Sequence, residues 1–109
     1  MDYAFILTTV STEEEGHLIA NELVKNKLAA CVNIVPKVHS VYEWENTIQN
    51  ETEVLLMIKT TKAREKDIYQ TVQSLHSYDT PELITLPIDN GSDTYLHWLE
   101  NSVRSPDTE

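Results

Sequence analysis

The first apolar segment of the chain runs without interruption from Tyr3 to Val10 and is rich in residues that favour strands. A continuous run of this kind predicts a strand in the middle of a sheet, buried on both faces. Ser11 and Glu14 then match a capping box, in which each side chain hydrogen-bonds the other residue's backbone amide. Ile19 and Leu23 follow at helical spacing, so the pattern predicts a first helix after this cap.

The next segment, Leu28 to Trp44, is long and strand-like, but Pro36 interrupts it. Proline lacks the amide hydrogen that a strand ladder uses, so it predicts an edge, a bulge or a bend. Beyond Trp44, Asn46 tolerates a positive φ and marks a turn. The chain then returns through Val54–Ile58, whose composition is that of a second strand buried on both faces.

A second segment with apolar residues at helical spacing precedes the last strand. Ile68, Val72 and Leu75 recur at intervals of four and three residues, which predicts a second helix. The segment from Glu82 to Asp89 then has the composition of a final strand. Pro87 within that segment favours a position at the edge of the sheet.

A last helix is predicted after Ser92, and residues 105–109 have the composition of a frayed tail. The order is therefore β-α-β-β-α-β with one additional C-terminal helix. Two split βαβ halves of this kind build an α+β ferredoxin-like sandwich, with four antiparallel strands and helices on one face. We accordingly expect residues 1–109 to form a single domain.

Charge and composition exclude several classes of partner. The chain of 109 residues has a net charge of −10, and its 8 basic residues are scattered, whereas nucleic acids and anionic membranes bind clustered Lys and Arg. No apolar stretch approaches the roughly 20 residues of a spanning helix, and the first residues lack the pattern of a secretory leader. We therefore expect a cytoplasmic protein with no nucleic-acid or membrane partner.

The hairpin from Val38 to Thr52 predicts an assembly of several copies. Its first limb extends about 20 Å beyond Pro36 at about 3.3 Å per residue, past a core whose radius of gyration is about 13 Å. An exposed apolar arm of two strands is marginally stable and invites pairing with other chains. We therefore expect packing on a neighbouring subunit, with folding back onto its own sheet as the alternative. The expected interface residues are Val41, Tyr42, Trp44 and Ile48.

One end of the predicted sheet gathers polar residues from several segments. The first strand ends there, the first helix begins there and the second helix ends there, which collects Thr8, Thr9, Ser11, His76, Tyr78 and Glu82. Thr8 and Tyr78 are candidates for a binding cleft, and His76 and Glu82 are candidate ligands of a divalent cation. A structural role in capping the second helix is the alternative for His76.

Cys31 and Lys59 are predicted to lie at the opposite end, together with Asp89. Cys31 is the only cysteine, which excludes an internal disulfide, and its small, apolar neighbours favour a buried, inert side chain. Lys59 would supply the positive neighbour that a reactive or metal-binding thiol requires. Cys31 and Lys59 are therefore also candidates for a binding cleft.

Five segments resemble the CutA family of divalent-cation tolerance proteins in order and spacing. They are residues 27–36, 40–44, 53–61, 76–83 and 95–99, which read KLAACVNIVP, SVYEW, EVLLMIKTT, HSYDTPEL and YLHWL. The resemblance implies a compact homotrimer and a role in tolerance to divalent metals, with copper the ion usually linked to it. It also implies, for some members, copper ligation by a cysteine near the end of the first strand and by a His-His pair. The matching positions here are Thr8, Leu75 and His76, so only His76 is kept.

Catalytic motifs are absent from the sequence, and we expect no enzyme. The chain has no P-loop and no nucleophile elbow, and its 2 glycines are too few for a phosphate-binding loop. The leading hypothesis is a trimeric protein that binds or responds to divalent cations, copper among them. The alternatives are a sensor of a small anionic metabolite, which the likeness of this fold and trimer to PII nitrogen sensors implies, and a structural hub for a partner protein. No cofactor is expected beyond a divalent metal.

Overall fold

The computed structural model describes residues 2–105, and its elements follow the predicted order. The strands are β1 (Tyr3–Val10), β2 (Cys31–Trp44), β3 (Thr47–Thr61) and β4 (Ile84–Ile88), and the helices are α1 (Glu13–Lys25), α2 (Glu65–Leu75) and α3 (Asp93–Ser102). The strands form one antiparallel sheet in the order β2-β3-β1-β4. The α+β ferredoxin-like fold is thereby confirmed. Of the expected tail at 105–109, only residue 105 lies within the described residues.

The hydrophobic core lies between one face of the sheet and helices α1 and α2. Side chains along β1 alternate, with Ala4, Ile6, Thr8 and Val10 fully buried toward the helices and the odd-numbered residues half-buried. Such alternation is the pattern of a strand with one covered face. Most of the rest of the core comes from β3 and the two helices and includes Ile19, Leu23, Leu56, Ile58, Ile68 and Val72.

The expectation that β1 and residues 54–58 of β3 are buried on both faces is wrong for the single chain. β1 is central in the sheet, as predicted, but only alternate residues of this part of each strand are buried. Helix α3 contacts one end of the second face, where the Tyr3 hydroxyl donates a hydrogen bond of 2.8 Å to Glu100. The remainder, here called the open face, presents Leu7, Val35, Met57, Ile84 and Leu86 as half-buried or exposed side chains.

A β-bulge at residues 36–37 changes which side chains of β2 lie on the open face. The register shifts between Val35, which is opposite Leu55, and Val38, which is opposite Glu53. The irregularity expected at Pro36 is thereby confirmed. Opposite residues of an antiparallel pair share a face, and a bulge adds one residue to one strand only. Even-numbered residues of β2 therefore replace odd-numbered ones on the open face beyond the bulge.

Beyond the bulge, residues 38–53 form a two-stranded arm. β1 ends at Val10, opposite Val54, so no third strand accompanies the arm. Glu45 and Asn46 at its tip both have positive φ values, 51° and 63°, which is the geometry of a tight hairpin turn. The arm helps to give the chain its elongated extents of 45 × 27 × 21 Å.

The arm does not fold back onto its own sheet. Its four predicted interface residues are largely uncovered, with Val41 67%, Tyr42 41%, Trp44 63% and Ile48 61% exposed. The register places Tyr42 and Trp44 on the side of the open face and Val41 and Ile48 on the opposite side. Both sides of the arm therefore carry exposed apolar side chains in the single chain.

Helix α1 is capped one residue later than predicted. Thr12, in an extended conformation, accepts the amide hydrogen of Glu15 at 3.1 Å. The hydroxyl of Ser11 donates instead to the carboxylate of Glu15, also at 3.1 Å. The predicted capping box of Ser11 and Glu14 is therefore wrong. Ser11 contacts Glu15 instead, and the Glu15 side chain extends toward the end of α2.

The position of the core predicts unequal effects of two leucine truncations on α1. We expect Leu23→Ala to lower the free energy of unfolding by about 2–5 kcal/mol, because truncation of a fully buried side chain leaves a cavity. Leu18→Ala is the matched control, since Leu18 is mostly exposed and should change the value by less than about 0.5 kcal/mol. Urea unfolding followed by circular dichroism, at one protein concentration, measures both. Equal losses would contradict this placement of the core.

Candidate functional site

His76 lies directly after α2, at the end of the sheet where it was predicted. Its imidazole is fully buried, and its Nε2 lies 2.7 Å from the carbonyl oxygen of Thr9. Its Nδ1 lies 3.0 Å from the backbone nitrogen of Tyr78. A carbonyl oxygen only accepts and a backbone amide only donates, so Nε2 carries the proton and Nδ1 accepts. Both ring nitrogens are thus engaged with the backbone.

The Glu15 carboxylate holds the next residue of the same loop. It accepts hydrogen bonds from the Ser77 amide at 2.8 Å and the Ser77 hydroxyl at 2.9 Å, and one oxygen lies 3.5 Å from His76 Nδ1. Burial alone would raise the pKa of the Glu15 carboxyl, but the hydrogen bonds from Ser77 and Ser11 lower it below its ordinary value. Glu15 is therefore an ionised acceptor that binds the loop to α1.

Tyr78 makes the third attachment of this loop. Its hydroxyl donates a hydrogen bond of 2.8 Å to Glu53, and its ring lies against that of His76, with 4.7 Å between the ring centroids. Burial and the neighbouring Glu53 carboxylate raise the pKa of Tyr78 well above its ordinary value, so its phenol remains a donor. Glu53 is buried and lies at the base of the arm. Residues 76–78 therefore connect β1, α1 and the arm.

Two further predicted site residues at this end of the sheet, Thr8 and Glu82, differ in their exposure to solvent. Thr8 is fully buried on the helix side of the sheet, and its hydroxyl has no hydrogen-bond partner among residues 2–105. Glu82 is exposed. Within the described part of the chain, no group of three or more His, Cys, Asp or Glu side chains is placed to hold a metal ion. Cation ligation by His76 and Glu82 stays a prediction.

Cys31 and Lys59 are direct neighbours at the opposite end of the sheet. They face each other across β2 and β3, and the thiol side chain is half-buried. The ammonium group of Lys59 lies 6.0 Å from the centre of the Phe5 ring and 5.6 Å from that of Tyr95. Two aromatic faces near a cation are a favourable electrostatic environment. The role of Cys31, Lys59, Thr8 and Tyr78 in a binding cleft stays a prediction.

Sequence reasoning missed Glu15 and Glu53 as parts of the site. The three acidic residues at 13–15 fit the helix dipole, and this explanation concealed that one of them binds another segment. A signal was present for Glu53, because a carboxylate beside a strand of five apolar residues is rarely left without a partner. Its partner lies 25 residues away in sequence, and spacing along the chain gives no indication of that contact.

The lowered pKa of Glu15 predicts a pH-dependent contribution to stability. We expect Glu15→Gln to lower the free energy of unfolding at neutral pH by about 1–2 kcal/mol, because an ionised acceptor is lost. The folded-state pKa of Glu15 lies below its ordinary value of 4.5, so this contribution is fully present above that value. It disappears as the pH falls through the folded-state pKa, where wild type and variant should converge.

Chemical denaturation across that pH range measures this contribution. Glu14→Gln is the control, since Glu14 is exposed in the same helical turn and should show little difference at any pH. A loss in Glu15→Gln that stayed constant down to strongly acid pH would contradict the assignment, as would an equal loss in the control.

Comparison with known proteins matches this chain to proteins of one family. The family profile described as CutA1 divalent ion tolerance protein matches residues 4–102. "Protein CutA, chloroplastic" of Arabidopsis thaliana is 50% identical over 100 residues, which are 92% of this chain and 55% of that relative. "Divalent-cation tolerance protein CutA" of Thermus thermophilus is 42% identical over 97 residues, 89% of this chain and 94% of the relative. The chain thus spans about half the length of the plant relative.

The expected cytoplasmic location is corrected by these comparisons. The relative from Arabidopsis thaliana is named chloroplastic although half of the aligned residues are identical. The pattern of this sequence therefore does not indicate the cytoplasm. Among residues 2–105, no helix has the length and apolar composition needed to cross a membrane.

The structural comparison agrees with the sequence comparison. The crystal structure of CutA1 from Oryza sativa superimposes with a TM-score of 0.93 at 43% sequence identity, and the alignment covers 95% of each chain. The agreement therefore includes nearly the whole chain. This chain therefore belongs to the CutA1 family of divalent ion tolerance proteins.

Proposed function

We propose that this protein is a homotrimer that binds divalent cations in metal tolerance and has no enzymatic activity. The observation that carries the proposal is the arm, which carries exposed apolar side chains on both of its sides in the single chain. Family membership supplies the link to divalent cations. Assembly and cation binding rest on different contacts and are argued separately.

The need for further copies comes from two uncovered apolar surfaces that adjoin each other. On the open face, Ile84 and Leu86 of the edge strand β4 are 48% and 46% exposed. The bulge at residues 36–37 continues this surface onto the arm through Tyr42 and Trp44. Contiguous apolar surface of this kind marks an interface. If each copy lends its arm to one neighbour and receives the arm of the other, the contact is head-to-tail, and a rotation that closes gives a ring.

Cation binding is supported by charge and by the end of the sheet that holds His76. A net charge of −10 attracts cations to the surface. His76 Nδ1 and the Glu15 carboxylate are 3.5 Å apart, and Glu82 is exposed in the same connection between α2 and β4. Imidazole and carboxylate together suit copper(II) and zinc. A cation at Nδ1 would displace the Tyr78 amide from that nitrogen, so we expect weak binding.

Lys59 favours a second candidate function, the binding of a small anion. None of the ion pairs formed among residues 2–105 includes Lys59, although its ammonium group adjoins the open face. Covering that face with another subunit would remove water from the cation, and a buried charge requires a partner. A carboxylate or phosphate ligand in the subunit cleft would supply the partner.

Truncation of the arm tests the assembly. We expect the wild-type protein to be a trimer and Trp44→Ala to shift the equilibrium toward monomer, because burial of such a side chain stabilises an interface by about 2–3 kcal/mol. Size-exclusion chromatography with light scattering over a dilution series measures the shift. Leu18→Ala, an exposed leucine on α1, is the control and should leave the equilibrium unchanged. A monomeric wild-type protein, or an undiminished Trp44→Ala trimer, would contradict the proposal.

Thermal unfolding with added metal tests cation binding. We expect copper(II) or zinc chloride in excess to raise the melting temperature, because a ligand that binds only the folded state stabilises it. His76→Ala should reduce the shift, and Glu82→Gln should reduce it without disturbing the buried hydrogen bonds of His76. His17→Ala is the control, since His17 is exposed on α1. An absent shift, or an equal reduction in the control, would count against this site. A shift of the melting temperature that phosphate or citrate causes and Lys59→Met removes would favour anion binding as the function.

A further inference from the structure

Asn90 and Gly91 lie in the exposed connection between β4 and α3. The backbone nitrogen of Gly91 lies 2.9 Å from Asn90 Oδ1, to which it donates a hydrogen bond. That nitrogen is thereby held beside the side-chain amide, because Oδ1 is bonded directly to Cγ. We propose that Asn90 is a site of spontaneous deamidation, in which the Gly91 nitrogen attacks the Asn90 side chain.

The reaction is a nucleophilic substitution within the chain. Base removes the proton of the Gly91 amide, and the nitrogen forms a bond to Cγ of Asn90. The bond from Cγ to Nδ2 then breaks, and Nδ2 leaves as ammonia after it takes up a proton. The product is a cyclic succinimide, and water opens this ring at either carbonyl group to give aspartate or isoaspartate. Oxidation states do not change, and water is the only co-reactant.

The residue after Asn90 is the one that least obstructs ring closure. Gly91 has no side chain to collide with the approaching Asn90 side chain, and its backbone has the widest conformational freedom of any residue. Holding the reacting groups near contact distance accelerates such intramolecular steps. Asn90 and Gly91 are both exposed, so base and water reach them.

None of the other six asparagines of the chain is followed by glycine, so none combines exposure with an unobstructed attacking nitrogen. The side-chain amides of Asn21 and Asn26 are hydrogen-bonded to backbone carbonyl oxygens at 2.7 Å and 2.8 Å, and three more asparagines, at positions 33, 50 and 101, lie within strands or a helix. Asn46 is the closest match, because it is exposed in the turn of the arm. The residue after it is the β-branched Thr47, which obstructs the attack. Asn46 is therefore an internal control in every sample.

The two products differ in their effect on α3. Aspartate keeps the backbone and places a negative charge near the start of the helix, where the helix dipole favours it. Isoaspartate adds a methylene group to the main chain two residues before Ser92, whose hydroxyl caps α3 by accepting the Tyr95 amide at 3.3 Å. The Tyr95 ring adjoins Lys59. Isoaspartate is therefore the product that loosens α3 beside Lys59.

Peptide mapping by mass spectrometry of the aged 109-residue chain tests the proposal. At alkaline pH we expect position 90 to convert to aspartate and isoaspartate while Asn46 remains an amide. The rate should fall at mildly acid pH, because the attack needs a deprotonated nitrogen. Gly91→Ala should slow the conversion severalfold, and Asn90→Gln should abolish it in the corresponding peptide. Asn90→Asp, which mimics one product, should melt like the fresh protein, whereas isoaspartate-containing protein should melt lower.

Two results would overturn the proposal. One is conversion of Asn46 at least as fast as that of Asn90 in the same sample. The other is a rate at Asn90 that is insensitive to pH and to Gly91→Ala. An added methyl group at Gly91 would lie 3.2 Å from the Leu96 side chain, so that variant disturbs local packing. The comparison of Asn90 with Asn46 needs no variant and keeps the test decisive.

Discussion

Helices α1 and α2 cover one face of the four-stranded sheet, and the other face is left to α3 and to solvent. This asymmetry is the constraint on which the remaining structure depends, because the second face and the arm carry large apolar side chains. A soluble protein rarely exposes contiguous apolar surface of this extent without a partner. A further copy of the chain is the partner that is always available at the same concentration. The proposed assembly is therefore a consequence of how few helices the chain has for its sheet.

The bulge at residues 36–37 connects this constraint to the candidate site. Without the extra residue, the open face and the apolar residues Tyr42 and Trp44 would lie on opposite sides of the sheet. On β3, directly beside the bulge, Glu53 lies opposite Val38 and accepts a hydrogen bond from the Tyr78 hydroxyl. One irregularity thus sets the direction of the arm's apolar residues and lies beside the attachment of the loop after α2.

Most of the fold followed from hydrophobic periodicity and proline positions, whereas the contacts of the site did not. The prediction that β1 is buried on both faces was wrong for one chain, and the proposed trimer accounts for the error, since Leu7 and Met57 would be covered by a second copy. The cap was misplaced by one residue because Ser11 and Thr12 both have capping side chains. His76 was placed at the correct end, but spacing cannot show that Thr9 and Tyr78 engage both of its ring nitrogens.

The occupied ring nitrogens of His76 place cation binding and loop stability in competition. Nε2 donates to Thr9 and Nδ1 accepts from Tyr78, so metal ligation at either nitrogen breaks a buried hydrogen bond. An unsatisfied buried donor or acceptor costs about 1–3 kcal/mol, and this cost reduces the apparent affinity for metal. Thr8 offers no compensation, because its hydroxyl is a poor ligand for soft metals compared with a thiolate. A cation that binds at Nδ1 must therefore release the Tyr78 amide, and Tyr78 is also the residue that bonds Glu53 at the base of the arm.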